Sequence, residues 1–113
     1  MFNIEKIAKE HKKLFPEADR DSQYRKYLEE FDEWVLAPTV EDKYKEAADC
    51  IICCIGLYNY DKRGALYILH NWRELFCDRV AIEKIEKLVN EKWEINKKRK
   101  WEFKNGVYHH IED

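Results

Sequence analysis

Glycine and proline are scarce, with 3 and 2 in 113 residues, which leaves little of the punctuation that hairpins and sheet turns use. A helical protein is implied before any periodicity is read. Long apolar runs are lacking too: none approaches the roughly 20 residues of a membrane span. The opening stretch MFNIEKIAKEHKK has neither the apolar core nor the small-residue cleavage site of a signal peptide. The expectation is a cytoplasmic protein with no membrane partner. An excess of positive charge is also missing, since 21 Lys and Arg stand against 23 Asp and Glu for a net charge of -2. That argues against a general nucleic-acid binder, which must neutralise many phosphates. Of the 4 cysteines, Cys50, Cys53 and Cys54 crowd one predicted helix, too close together for a disulfide framework. They are expected to be buried thiols. A zinc site would need a second ligand pair, and only Cys77, His70, His109 and His110 are on offer.

The chain is rich in hydrophobic residues (45%) and charged ones (39%), too apolar for disorder and charged wherever it meets water. At this length it closes a single core, so residues 1–113 are read as one domain.

Ile4, Ile7, Ala8 and Leu14 trace a short helical stripe that stops near Phe15-Pro16. Asp21 or Ser22 can cap a second helix reaching about Leu36, and Ala37-Pro38 breaks it. Thr39 opens a third helix, which runs to about Tyr60 with Tyr44, Ala47, Ala48, Ile51, Ile52, Ile55 and Tyr58 at three- and four-residue spacing. Asp61-Lys62-Arg63-Gly64 reads as a turn, Ala65 to Cys77 as helical, and Arg79 to Trp101 as a long charged helix. The tail after Asn105-Gly106 is expected to be irregular. The fold class is all-α, a bundle of four to five helices.

The second helix holds Glu29-Glu30-Phe31-Asp32-Glu33, and the third holds Glu46-Ala47-Ala48-Asp49. Residues three apart on a helix differ by about 60° in direction and about 4.5 Å in height, so Glu30 pairs with Glu33 and Glu46 with Asp49. The short Ala37-Pro38 connection makes the helices antiparallel neighbours and sets both pairs at similar heights. Two like charges about 4 Å apart repel by roughly 4 kcal/mol at an effective dielectric near 20, so such a cluster calls for protons or cations. Oxygen-only ligands favour Mg²⁺, with Mn²⁺ as the alternative. The competing account leaves these acids on solvated helix faces. Against it, Asp49 leads straight into the apolar run Cys50-Ile51-Ile52, where a carboxylate needs a partner.

With Lys26 these acids spell K-x-x-E-E-x-x-E (Lys26, Glu29, Glu30, Glu33) followed by E-x-x-D (Glu46, Asp49), which resembles the signature of the MazG-like all-α NTP pyrophosphohydrolases. Phe15-Pro16-Glu17-Ala18 and Gln23 are similar to the lead-in of phage and bacterial members. Lys92, Asn96, Arg99 and Trp101, then Gly106-Val107 and His109-His110, resemble the family's ending. Ala65 to Cys77 lies outside the resemblance.

The resemblance implies hydrolysis of a nucleoside triphosphate between its α- and β-phosphates, with Mg²⁺ held by Glu30, Glu33, Glu46 and Asp49. Glu29 and Glu30 would be the catalytic acids, Glu29 as an extra acid or a base for water. Lys26, Lys92, Asn96 and Arg99 would bind the substrate, although Lys97 to Lys100 also read as a solvated helix end that complements the macrodipole. Members are typically dimers or tetramers, so a homodimer or homotetramer that completes the bundle is expected, and 14% aromatic residues fit a subunit interface. Tyr24, Trp34, Trp93 and Trp101 are candidate walls for a base, and nothing selects among bases. From a different class, a non-catalytic helical interaction module would carry the same acids as plain surface.

Overall fold

The structure is a computed structural model, and it describes residues 2–111. Helices α1 (Ile4–Leu14), α2 (Arg20–Leu36), α3 (Val40–Leu57), α4 (Lys62–Leu75) and α5 (Arg79–Lys98) are followed by strands β1 (Trp101–Lys104) and β2 (Val107–His110). The chain is thus mostly helical, with five helices as the all-α bundle reading expects, and it adds one small two-stranded antiparallel hairpin.

Each helix begins where a short polar side chain can take up an orphan amide. Asn3, Asp19, Thr39, Asp61 and Asp78 accept from the backbone N–H three residues on. At α2 the exchange is reciprocal: Asp19 accepts from Ser22 N at 2.8 Å and Ser22 Oγ accepts from Asp19 N at 2.9 Å. The cap is therefore Asp19, ahead of the expected Asp21 or Ser22. Asp61 to Gly64 likewise corrects the expected turn, because Asp61 caps α4 and Gly64 lies in its first turn.

Helix α3 is the spine. Its residues Cys50 to Leu57 are all buried, and it packs against each of the other four helices. Gly56 lets α1 and α2 come close, since a Cβ there would collide with His11 Nε2 and Gln23 Nε2. Cys50, Cys53 and Cys54 are free thiols in this core, with Cys54 Sγ donating to the Ala65 carbonyl at 3.2 Å. Burial pushes the Cys54 thiol up to about 12, so it stays protonated.

The hairpin replaces the expected irregular tail. Asn105 (φ 55°) and Gly106 (φ 80°) form its two-residue turn, both in the left-handed region that a primed turn requires. It docks through its ends and its turn: Glu17 N donates to Tyr108 Oη at 3.0 Å, Arg25 Nη2 donates to the Asn105 carbonyl at 3.3 Å, and Trp101 Nε1 donates to the Asn96 carbonyl at 3.0 Å. Phe15 wedges between Trp101 and Tyr108, with ring centroids 5.0 and 4.8 Å away. Among the described residues, no helix is long and apolar enough to cross a membrane.

Candidate functional site

Antiparallel packing of α2 on α3 brings the two carboxylate motifs face to face. Oxygen atoms of Glu30, Glu33 and Glu46 lie within 4.8 Å of one another. Asp49, one turn further along α3, takes a different partner, accepting from Lys92 Nζ of α5 at 2.7 Å. Lys26 stands on the α2 side, 3.6 Å from Glu30 and 3.8 Å from Glu29. Three of the four expected ligands thus converge, and the fourth is held beside them by a lysine.

Glu30, Glu46 and Asp49 hold their protons more tightly than free carboxyls do. Burial pushes Glu30 up to about 8, aided by its hydrogen bond with Glu33 and the charge of Asp49, with Lys26 opposing. Burial also raises Glu46, and Asp49 adds to it. Asp49 is raised by burial and drawn back by Lys92. Glu46 Oε2 is buried without a hydrogen-bond partner among the described residues. An orphaned buried carboxylate oxygen beside two more carboxylates fits a hard dication, and the all-oxygen donor set suits Mg²⁺ or Mn²⁺.

These residues form part of the wall of a cavity of about 450 Å³. From α2 come Ser22, Gln23, Lys26, Glu30 and Glu33, and from α3 come Glu46, Asp49, Ile52 and Cys53. Helix α5 supplies Asn96 and Arg99, α1 and its end supply His11 and Phe15, and the hairpin region supplies Trp101, Tyr108, His109 and His110. Lys92 reaches the site through Asp49. Glu29 is exposed and lies outside the lining, and it meets the site only through its ion pair with Lys26.

Of the aromatic candidates only Trp101 lines the cavity. Trp93 is buried, stacked on His11 at 5.7 Å with its Nε1 donating to Glu10 at 3.0 Å. Trp34 packs edge-on against Trp72 at 5.1 Å, and Tyr24 Oη donates to Asp61 at 3.1 Å. His11 and the hairpin's Tyr108 escaped sequence reasoning. His11 does continue the stripe of Ile4, Ile7 and Ala8, four residues past Ile7, which marks it as inward-facing. No family model, curated protein or solved structure matches the chain.

Proposed function

We propose that the protein is a Mg²⁺-dependent nucleoside triphosphate pyrophosphohydrolase, adding water across the bond between the α- and β-phosphates to give a monophosphate and pyrophosphate. The observation that carries this reading is the convergence of Glu30, Glu33 and Glu46 at a cavity that also holds Asn96 and Arg99. The motif resemblance of Lys26 to Glu33 and Glu46 to Asp49 supports it independently of the geometry.

Glu30, Glu33 and Glu46 would hold the metal, with Asp49 as the adjoining carboxylate. When bound, the ion neutralises polyphosphate charge and activates the attacking water. Lys26 and Lys92 hold Glu30 and Asp49 in place and bring two positive charges to the phosphate end. Arg99 offers a planar fork and Asn96 an amide donor to phosphate or sugar oxygens. The carboxylates of the cluster are the acceptors for the proton that the water gives up. Glu29, exposed and paired with Lys26, orients that lysine and touches no substrate in this scheme.

We also infer a homodimer or homotetramer. Leu28, Phe31 and Val35 follow one another at three- and four-residue spacing along α2, exposed together with Leu36 and Val40. That apolar stripe suits a second copy of the chain. The same stripe is what favours the second reading, a non-catalytic helical interaction module.

A panel of nucleoside triphosphates with Mg²⁺, scored for pyrophosphate separately from orthophosphate and repeated with EDTA, tests the enzyme. Pyrophosphate release that EDTA stops, and that Glu46→Gln and Asp49→Asn abolish in a folded protein, is expected. Activity unchanged by both substitutions removes the site, and silence across the panel moves the reading to the interaction module.

A further inference from the structure

Two turns of α2 separate Glu30 from Gln23, about 10 Å along the axis and on the same face. That is the order of separation between the α-phosphate and the base in a nucleotide. Gln23 is 5% exposed and lines the same cavity. Its Nε2 lies 3.0 Å from the Cys53 carbonyl oxygen and 3.4 Å from His11 Nε2. A carbonyl oxygen only accepts, so the Cys53 contact fixes which way the amide faces.

The second amide proton meets His11 Nε2, which accepts it. Burial pushes His11 down to about 3, so the ring is neutral. Accepting at Nε2 puts the ring proton on Nδ1, which is buried without a hydrogen-bond partner among the described residues. The absence of a side chain at Gly56 is what makes room for both groups. Both amide protons of Gln23 are committed to the protein, and Oε1 is the atom left for a ligand. The neighbouring walls are aromatic, with Phe15, Trp101 and Tyr108 all lining the cavity.

We propose that Gln23 determines base specificity: its Oε1 accepts a hydrogen bond from the exocyclic amino group of adenine, cytosine or guanine held against Trp101 and Tyr108, so amino-bearing nucleotides are taken in preference to uracil and thymine nucleotides. This rests on reading the cavity as a nucleotide site, and it adds the orientation of the nucleotide and the class of base. A carbonyl in place of the amino group would set two acceptors face to face.

Calorimetric binding of nucleoside monophosphates to the full chain with Mg²⁺ tests the assignment. The pairs dCMP against dUMP and dAMP against dIMP each exchange an amino group for a carbonyl. Within each pair the amino member should bind about tenfold tighter or more. Gln23→Leu should bring each pair close to parity, and if that variant fails to fold the wild-type pairs decide alone. Equal binding within the pairs, tighter binding of dUMP and dIMP, or no binding of any monophosphate overturns the proposal. Preference for dCMP and dAMP without turnover of any triphosphate would remove the hydrolase and keep the base assignment. Turnover without preference would do the reverse.

Discussion

Glu30 and His11 are buried titratable groups whose environments pull stability in opposite directions with pH. Glu30 has its folded-state value raised to about 8, so the folded chain binds more protons than the unfolded one above the ordinary glutamate range. Its share of stability is present in acid and is lost as pH rises toward 8. Glu30→Gln is therefore expected to stabilise the protein without a cation at pH 8 by about 1 kcal/mol and to lower pyrophosphate release by roughly two orders of magnitude or more. Urea unfolding with and without Mg²⁺ checks this, and the wild type should gain more stability from the ion than the variant does. His11 has the other sign. Its folded-state value falls from 6.5 to about 3, so the unfolded chain binds the extra proton and stability is lost as pH falls through that window. The loss amounts to something on the order of 4 kcal/mol by pH 3. His11→Gln, which keeps an acceptor near Gln23, should flatten this acid limb in unfolding curves recorded stepwise from pH 7 to pH 4.

The hairpin is the element that closes the aromatic end of the cavity, although only four residues make each strand. So short a pair is not stable alone. It persists because Phe15 and Glu17 of the α1–α2 connection, Arg25 of α2 and Asn96 of α5 grip it. Gly106, at φ 80°, sits where a Cβ would press on the Arg25 guanidinium. Gly106→Ala is expected to cost about 1 kcal/mol through backbone strain and to raise KM for the triphosphate more than it lowers kcat. Steady-state kinetics beside thermal unfolding separates the two effects. If KM and kcat are unchanged while stability falls, the hairpin is a structural cap only.

Across the whole molecule, buried α3 organises one core, while the outer face of α2 leaves Leu28, Phe31 and Val35 in water. A chain of 13.8 kDa with such a stripe is expected to sediment at twice that mass or more. Val35→Lys, placing a charge on the stripe, should shift it toward monomer without unfolding it. Analytical ultracentrifugation with circular dichroism reads both. Wild-type sedimentation at the monomer mass would remove the assembly.

Much of this fold was legible in the residues because the signals are local. Thr39, the apolar spacing of α3 and the Phe15-Pro16 and Ala37-Pro38 breaks mark helix limits within a few residues, since capping and proline sterics act over one turn. The carboxylate pairing was legible for the same reason, as three-residue spacing is fixed by the helix itself. Two local signals misled. Gly64 suggested a turn, yet Asp61 caps the helix across it, and Asn105-Gly106 read as the end of structure although it builds a primed turn once flanking strands are held. What no local pattern contains is the meeting of distant groups. Packing at Gly56 seats His11 and Gln23 against α3, and the pairing of Lys92 with Asp49 depends on where α5 crosses α3. The chain's own chemistry thus determined its helices and its paired acids, and tertiary structure alone decided which of those acids share a site, that Asp49 is held by a lysine of another helix, and which aromatic rings line the same cavity. The reason is physical: helical spacing fixes neighbours within an element, whereas neighbours between elements are fixed only when the core closes.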